Sequence, residues 1–411
     1  MPYERKIIND PVFGFINIPK GLLYDIVQHP LLQRLTRIKQ LGLSSVVYPG
    51  AQHTRFQHSL GAFHLTSEAV QQLTSKGNFI FDSEAEAVQA AILMHDIGHG
   101  PFSHVLEDTI VKGVSHEEIS LMLMERMNKE MNGQLSLAIQ IFKDEYPKRF
   151  LHQLVSGQLD MDRLDYLRRD SFYTGVTEGN IGSARIIKML DVADDHLVVE
   201  SKGIYSIENF LTARRLMYWQ VYLHKTSVAY ERMLISTLLR AKELARKGVE
   251  LFASPALHFF LYNDIDPEKF HSNPECLENF IQLDDNDIWT SLKVWSTHPD
   301  KVLSTLSLGI INRNIFKVEI SSEPISEERK KELTLQISRQ LGVTLSEANY
   351  FVSTPSIEKN MYEPADDSID IIYKDGTIKN IAEASDMLNI SLLSKKVKKY
   401  YICYQRLHIQ V

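Results

Sequence analysis

The feature that most constrains this chain is an apolar helical run that ends directly in ionisable side chains. The stretch FDSEAEAVQAAILMHDIGHG, residues 81–100, becomes wholly apolar just before His95 and Asp96. We predict a helix with Asp82 and Ser83 as candidate N-caps and a stop at Gly98. The far end of this helix must be buried, where an ionised carboxylate is costly unless it is paired or coordinated. An adjacent imidazole and carboxylate that bind one cation offset both costs, so the run predicts a metal site inside a helical core.

Histidines are concentrated around this helix. Seven of the 15 histidines fall within 64 residues, where an even spread would place about two, at His53, His58, His64, His95, His99, His104 and His116. A lone histidine beside an apolar helix is more often a hydrogen-bonded core residue than a ligand. His58 and the aspartates of SGQLDMDRLDYLRRD are further candidate ligands. Two imidazoles with two carboxylates suit iron, manganese, zinc, nickel or magnesium, and composition does not choose among them.

The hydrophobic pattern divides the chain into two parts. Up to about residue 310 it indicates helices, with two in GLLYDIVQHPLLQRLTRIKQL broken at Pro30, one in HEEISLMLMERMNKEM, one long helix over residues 206–248 and one in NDIWTSLKVWSTH. Beyond that point NIFKVEIS, IDIIYKDGTIKNI and KKYYICYQRL alternate as strands do, SEERKKELTLQISRQLG is a capped helix, and STPSIEKNMYEPADDS is typical of a loop. We predict a mainly α fold, with a helical core over 1–310 and a smaller α+β lobe over 311–411.

Charge and cysteine content narrow the function classes. The net charge of −7 does not favour nucleic acid or an anionic membrane, so any polyanion must meet a local basic site. Two cysteines, Cys276 and Cys403, cannot form a disulfide framework. The first residues lack the layout of a signal peptide, and no apolar run approaches the roughly 20 residues of a membrane span. We therefore expect a cytoplasmic protein.

Four motifs in order carry a family resemblance: HTRFQHSLG, HDIGHGPFSH, SHEE and DMDRLDYLRRD. Together they resemble the HD-domain phosphohydrolases, in particular the deoxynucleoside triphosphate triphosphohydrolase branch. The similarity runs from IINDPVFGFI to about residue 320, with the motif region over 50–180. It implies an HD-domain core that binds a divalent metal and cleaves a dNTP into deoxynucleoside and inorganic triphosphate. The metal ligands that it implies are His58, His95, Asp96 and Asp162.

The resemblance also implies the catalytic groups. Arg55 would contact the α- and β-phosphates, which suits a guanidinium fork. His99 and His104 match phosphate-contacting histidines of the family. His116 matches the proposed general acid for the leaving 5′-oxygen, oriented by Glu107, where the family usually has aspartate.

Substrate-binding residues follow in the same way. Arg163 and Arg214 match basic residues on the triphosphate. Tyr166 matches a side chain against C2′ of the deoxyribose, whereas Asp170 and Gln40 match groups near its 3′-hydroxyl. Tyr222 matches an aromatic residue that lines the sugar and base.

Relatives in this branch often form tetramers with regulatory nucleotides between subunits, so the resemblance implies a homo-oligomer, dimer or tetramer, with an activating nucleotide. The residues at the corresponding positions are Lys6, Asn9, Gln33, Val47, Tyr48, His224, Lys225, Arg313 and Lys317. The aspartate and arginine that read guanine in the regulated animal relatives are replaced here by Gln28 and Thr36.

Other functions stay open at this point. A guanosine tetraphosphate hydrolase would show Glu-Asp soon after the His-Asp pair, but this chain has IGHGPFSH there. A cyclic-dinucleotide hydrolase would show Gly-Tyr-Pro, which the sequence does not contain. Another HD-type phosphohydrolase, either a nucleotide phosphomonoesterase or a 3′ nuclease, is the enzymatic alternative. A nucleotide-sensing scaffold that keeps the HD fold without catalysis is the other.

Overall fold

The computed structural model describes residues 5–102, 104–359, 368–386 and 397–406 of the 411-residue chain. Helices dominate these residues, and small sheets accompany them, so the predicted mainly α fold with C-terminal α+β structure is confirmed. The α-helices of the first half are α1 (Leu22–Gln28), α2 (Pro30–Gln33), α3 (Arg55–Ser75), α4 (Asp82–Met94), α5 (His104–Thr109), α6 (His116–Glu130), α7 (Ser136–Phe142), α8 (Arg149–Val155), α9 (Met161–Thr174) and α10 (Ser183–Met189).

The second half of the chain contains ten further α-helices among the described residues. They are α11 (Ile204–Met217), α12 (Lys225–Arg246), α13 (Pro255–Tyr262), α14 (Pro267–Ser272), α15 (Pro274–Phe280), α16 (Asp285–Trp295), α17 (Lys301–Ile311), α18 (Glu327–Leu341), α19 (Leu345–Ala348) and α20 (Ile381–Ala384). A π-helical turn, Tyr218–Tyr222, separates α11 from α12, and five short 3₁₀ helices occur among the described residues, at Arg34–Arg37, Gly42–Val46, Thr177–Gly179, Ser201–Gly203 and Asn349–Phe351.

Three small sheets complete the fold. Their strands are β1 (Arg5–Asp10), β2 (Gly14–Pro19), β3 (Leu190–Ala193), β4 (His196–Glu200), β5 (Lys317–Ser321), β6 (Val352–Ser353), β7 (Ser356–Lys359), β8 (Asp370–Ile372), β9 (Ile378–Asn380) and β10 (Val397–Tyr404). β1 and β2 form an antiparallel hairpin, the second sheet has the order β3-β4-β8-β9, and in the third β10 pairs with β5, β6 and β7. Because β8 pairs with β4 in parallel, the C-terminal residues share a sheet with the helical part. The division at residue 310 stays a prediction.

Several local expectations were wrong. The N-cap of α4 is Phe81, one residue earlier than expected, because the Glu84 carboxylate accepts the backbone N–H of Phe81 at 2.8 Å. Of the two helices expected over residues 21–41, the second is short, because α2 ends at Gln33 and the chain continues as the 3₁₀ helix Arg34–Arg37. The single long helix over 206–248 is divided by the π-helical turn, and the β1–β2 and β3–β4 hairpins occupy residues expected to be mainly helical.

Other expectations agree with the structure. The end of α4 is fully buried, helix α18 begins after Ser326 and ends at Gly342 in a left-handed conformation, and β8 and β9 form the expected hairpin. The expected loop over 353–368 contains β7, and its residues 360–367 lie outside the described residues. Within the described part of the chain, no helix combines the length and apolar character needed to cross a membrane.

Helix α3 positions the site because it packs against both α4 and α9. Capping residues fix where these helices begin. Thr54 and Gln57 form a capping box at the start of α3, and the Asp160 carboxylate accepts the Arg163 N–H at the start of α9. Ser115 and Glu118 form a capping box at the start of α6. The caps therefore place histidine, arginine and aspartate side chains in the first turns of three helices.

Candidate active site

Three side chains from three helices meet in a cluster of the kind that binds a metal. The Nε2 atom of His58 in α3 lies 3.3 Å from Nε2 of His95 and 3.0 Å from Oδ1 of Asp162 in α9. His95 Nε2 lies 3.6 Å from the same carboxylate oxygen. Ligands at about 2.1 Å from one metal ion are about 3.0–3.4 Å apart in octahedral or tetrahedral geometry. The donor atoms are thus spaced as the ligands of one cation would be.

Both imidazoles of this cluster are held through their other nitrogen. His58 Nδ1 lies 2.6 Å from Oδ2 of Asp165, and His95 Nδ1 lies 2.6 Å from the Ile92 carbonyl oxygen. An Nδ1–H that donates to such an acceptor leaves the Nε2 lone pair facing the cluster. This arrangement is typical of histidines that bind metal.

Asp165, to which the sequence assigned no role, supports His58 from behind the cluster. It is fully buried and accepts hydrogen bonds from Arg169, whose guanidinium also donates to Asp10 at 2.7 Å. A side chain on Gly61 would lie within 1.9 Å of Asp165 Oδ1, so only glycine leaves room for this carboxylate. The signal was present, because Asp162 and Asp165 are three residues apart on one helix face and Arg169 follows one turn later.

The charges of the cluster residues favour the binding of a cation. Burial lowers the pKa of His58, but hydrogen bonds with Asp162 and Asp165 outweigh this effect and raise it to about 10. Burial raises the pKa of Asp162, yet its bonds with His58 and His95 hold it well below the usual range. The negative charge of the carboxylates therefore favours positive charge beside them. A divalent cation would supply that charge while both imidazoles stay neutral.

Asp96 stands at the edge of this cluster and connects it to a second group. Its Oδ1 lies 3.4 Å from His95 Nε2 and 3.3 Å from His99 Nε2, and its Oδ2 accepts a hydrogen bond from Arg55 at 2.6 Å. Although burial raises the pKa of Asp96, the charges of His95, His99 and Arg55 keep it well below its usual value. Arg55, in the first turn of α3, thus lies beside the metal-type cluster, as the sequence implied.

A histidine–carboxylate pair lies on the far side of His99. The rings of His99 and His116 stack with centroids 3.9 Å apart, and His116 Nδ1 lies 3.0 Å from Glu107 Oε1. Burial, followed by the nearby Arg55 charge, lowers the pKa of His99 to about 3. His104 begins α5, but its side chain lies outside the described residues.

Two residues that the sequence did not single out fix the turn after α4. The Ser120 hydroxyl donates to the His95 carbonyl at 2.8 Å and accepts the Gly98 N–H at 2.9 Å. Arg34 is fully buried and donates to the carbonyl oxygens of Ile97 at 3.3 Å and His99 at 2.8 Å. Such long-range contacts leave no local pattern by which sequence could find them.

Three of the predicted sugar-binding residues, Tyr166, Asp170 and Tyr222, lie in contact with one another. Both carboxylate oxygens of Asp170 are engaged, with His53 Nε2 at 2.7 Å and with the Tyr222 hydroxyl at 2.7 Å. The Tyr166 and Tyr222 rings meet edge to face at 6.0 Å. Gln40 has a buried side-chain oxygen that accepts no hydrogen bond from the residues that the structure describes. His53, which holds Asp170, received no role from the sequence.

The two predicted phosphate-binding arginines approach the site from different elements. Arg163, next to Asp162, donates from Nε to the Gly157 carbonyl at 2.5 Å and to Asp160 at 3.1 Å. Arg214 in α11 is buried and donates to the Gln158 amide oxygen at 3.0 Å. Segment 157–160 therefore holds both guanidinium groups.

Most of the predicted regulatory residues lie around the start of α12, where this helix packs against the 3₁₀ helix Gly42–Val46 and against β5. They are Val47, Tyr48, His224, Lys225, Arg313 and Lys317. The Tyr48 and His224 rings are 6.1 Å apart, and Arg313 donates to the Val46 carbonyl. Three others lie apart, with Lys6 and Asn9 exposed on β1 and Gln33 at the end of α2. Their role in a regulatory site between subunits stays a prediction.

Comparison with known proteins agrees with this geometry. The HD domain model matches residues 55–169, and the model of the HD-associated region matches residues 181–253. The uncharacterised protein YwfO of Bacillus subtilis is 29% identical over 414 residues, covering 98% of this chain and 93% of that protein. The deoxynucleoside triphosphate triphosphohydrolase SAMHD1 of Bos taurus is 27% identical over 373 residues, covering 80% of this chain but only 60% of that longer protein.

A solved structure is similar to this chain in both sequence and fold. The crystal structure of a phosphohydrolase from Bacteroides thetaiotaomicron is 92% identical, has a TM-score of 0.96, and covers 98% of this chain and 100% of that one. The HD model spans the cluster residues from Arg55 to Arg169, including His58, His95 and Asp162. The chain therefore belongs to the HD-domain phosphohydrolases.

Proposed function

We propose that this protein is a metal-dependent dNTP triphosphohydrolase that releases deoxynucleoside and intact inorganic triphosphate. The observation that carries the proposal is the separation of two groups: the His58, His95 and Asp162 cluster on one side of Asp96, and the His116–Glu107 pair on the other. Cleavage of a phosphate ester from a poor leaving group needs a cation near the phosphate and a proton for the leaving oxygen. The separated groups suit these two tasks.

The proposed metal ligands are His58, His95, Asp96 and Asp162, and their donor atoms fit a divalent cation whose identity stays open. When bound, such a cation polarises a phosphoryl oxygen and lowers the pKa of a bound water. Asp165 and the Ile92 carbonyl keep both imidazoles in the orientation that this requires.

His116 is the proposed general acid. As water attacks the α-phosphorus and the bond to the 5′-oxygen breaks, His116 donates its proton to that oxygen, so the departing group leaves as a neutral hydroxyl. Glu107, 3.0 Å from Nδ1, accepts the Nδ1–H of the doubly protonated ring and orients it, so that Nε2 donates the second proton to the leaving oxygen. His99 stacks against His116 and restricts its rotation. His104 is kept as a proposed phosphate contact.

The remaining groups bind the substrate. Arg55, Arg163 and Arg214 supply the local positive charge that a triphosphate needs on a chain of net negative charge. Tyr166 would crowd a 2′-hydroxyl, which favours deoxyribonucleotides. Asp170 and Gln40 face the 3′-hydroxyl in this proposal, and Tyr222 lines the sugar and base.

We extend the proposal to assembly and activation. Lys225, Arg313 and Lys317 are basic and exposed near the start of α12. Phosphates of a second nucleotide would be bound there between subunits of a dimer or tetramer, with Tyr48 and His224 against the base or sugar. The resemblance of the sequence motifs to a branch whose members often form such tetramers supports this idea.

The deciding experiment follows the products. Metal-loaded protein is incubated with each dNTP and rNTP, with and without a second nucleotide, in ¹⁸O-labelled water. We expect deoxynucleoside and triphosphate, with the label in the triphosphate because water attacks phosphorus, and weak activity on rNTPs. Monophosphate with pyrophosphate would contradict the proposal. Hydrolysis of only a phosphomonoester or an oligonucleotide 3′ end would favour the other enzymatic functions, and nucleotide binding without turnover would favour a scaffold.

Matched histidine variants test the assignment of the acid. His116→Ala should lose turnover while it keeps the metal. His64→Ala is the control, because His64 lies on the outer part of α3 beside Glu68 and belongs to neither group. Equal losses in both variants would indicate a general effect on folding rather than proton donation.

A further inference from the structure

The π-helical turn Tyr218–Tyr222 interrupts what would otherwise be one long helix beside the active site. Wide π turns are rare, and they occur most often at functional sites. Their hydrogen bonds alone do not favour them over a continuing α-helix, so contacts from outside must hold the turn in shape. Among the described residues, three such contacts involve Trp219 and Gln220, in addition to the hydrogen bond that Tyr222 makes with Asp170.

Two of these contacts bind Gln220, in the middle of the turn. The Tyr48 hydroxyl donates to the Gln220 carbonyl oxygen at 2.5 Å. The Gln220 side-chain amide donates to Glu178 at 3.2 Å. Both partners belong to the helical core, so this side of the turn is tied to residues near the site.

The third contact comes from the C-terminal residues. Lys399 in β10 places its ammonium group 3.8 Å from the centroid of the Trp219 ring. Tryptophan gives the strongest cation–π attraction of the aromatic side chains, and the attraction grows when water is excluded. Both side chains are partly buried. The contact therefore joins the last strand of the described chain to the turn.

The inner side of the turn faces the predicted sugar-binding residues. Tyr222 donates its hydroxyl to Asp170, and its ring lies against Tyr166 and against Tyr218, with centroids 6.0 Å and 5.2 Å away. A shift of the turn would move the Tyr222 ring and break its bond to Asp170. The position of Tyr222 thus depends on the turn.

We propose that Lys399 is a positioning residue for substrate binding: through Trp219, strand β10 holds the π-helical turn in the shape that sets Tyr222 against Asp170. This gives the C-terminal α+β structure a role in the active site without direct contact with substrate. The inference rests on the proposed function for its effect on dNTP binding, but the bracing of the turn is independent of the reaction.

The test uses two variants. Lys399→Met keeps an unbranched side chain of similar length but removes the charge, whereas Lys399→Arg restores a cation. Lys379→Met is the control, since Lys379 in β9 makes a similar contact with Tyr373, at 5.7 Å, away from the turn. In Lys399→Met we expect the KM for dNTP to rise about tenfold with little change in kcat, as for an interaction that serves binding. Metal content should not change, and Lys399→Arg should recover most of the loss.

Hydrogen–deuterium exchange of residues 218–222 gives a readout that needs no activity. Exchange should become faster in Lys399→Met and return toward the wild-type rate in Lys399→Arg. Unchanged exchange, or an unchanged KM in an active Lys399→Met protein, would overturn the inference. If the wild-type protein hydrolyses no dNTP, the proposed function fails, and the exchange rates still decide whether Lys399 braces the turn.

Discussion

Replacement of Asp165 by asparagine tests whether the buried support of His58 controls metal affinity. Asp165 has two sets of donors to satisfy, the His58 Nδ1–H at 2.6 Å and the Arg169 guanidinium at 3.0 Å. An asparagine of the same shape offers one oxygen and one NH₂ group. If the NH₂ faces Arg169, donors oppose donors. If it faces His58, the imidazole must accept at Nδ1, and its proton moves to Nε2, where the metal should bind.

The magnitude follows from these two arrangements. Loss of a hydrogen-bonded partner behind a metal-binding histidine weakens metal affinity by about 10- to 100-fold. Leaving a buried donor unsatisfied costs about 1–3 kcal/mol of folding stability. Asp165→Asn should therefore weaken metal binding by about 10- to 100-fold and lower the free energy of unfolding of the metal-free protein by about 2 kcal/mol.

The assay is a titration of the metal-free protein with Mn²⁺, in which calorimetry measures the metal affinity. Asp10→Asn is the matched control, because it removes the other carboxylate bound to Arg169 but leaves the bond between His58 and Asp165 intact. It should lose stability and keep metal affinity within about threefold, since Arg169 does not touch the metal-type cluster. Equal metal affinity in the Asp165→Asn and wild-type proteins would refute the argument.

Four further outcomes are expected. His116→Ala should reduce kcat by about 100- to 10,000-fold with full metal content by elemental analysis; a metal-free variant would mean that His116 is a ligand. Gly61→Ala should destabilise the protein by about 3 kcal/mol or more in chemical denaturation, because the new methyl group meets Asp165 Oδ1 at 1.9 Å. Burial raises the pKa of Asp285 to about 6, so the folded state holds this proton more tightly than the unfolded chain and stability falls as pH rises from about 4 to about 7. Asp285→Asn should flatten that part of the Tm–pH profile, and an unchanged slope would show that another group titrates. Lys317→Glu should abolish activation by a second nucleotide in steady-state assays with metal content unchanged; normal activation would remove Lys317 from the regulatory site.

The sequence predicted the parts of this protein that local rules determine. Helix α4 follows from its apolar run, and its buried end follows from the absence of polar positions over residues 90–94. The capping residues before α18 and the hairpin between β8 and β9 also leave clear local patterns. The fold class could therefore be predicted without any tertiary information.

The sequence could not predict the elements whose conformation depends on distant partners. The π-helical turn lies inside an uninterrupted helical pattern and exists because Tyr48 and Lys399, far away in sequence, bind it. Strands β3 and β4 are short, and β4 gains a partner in β8, some 170 residues later. Propensity over a local window does not contain such information.

The candidate site likewise contains residues that the sequence predicts and residues that it does not. The motif places Asp96 beside His95 within one turn, and both are recognisable because ionisable residues at the end of a buried helix need a reason to be there. The residues that hold this turn in place carry no such signal in the sequence. Arg34 resembles any arginine of an amphipathic helix, yet it is buried and bound to the carbonyl oxygens of Ile97 and His99. Its role is visible only when the two segments are seen in contact.

Binding of a polyanion by a chain of net charge −7 follows from how charge is distributed at the site. Asp162 and Asp96 would repel a triphosphate if they stood alone, and their low pKa values keep them ionised. A divalent cation neutralises them, and Arg55 lies 2.6 Å from Asp96, where its guanidinium can meet both the carboxylate and an incoming phosphate. In the proposed function, Asp96 and Asp162, the second of which also raises the pKa of His58, therefore make the site depend on metal before it can hold phosphate. In the proposed function, this coupling gives a role to Asp165, Arg169 and Asp10, whose hydrogen bonds hold His58 beside Asp162.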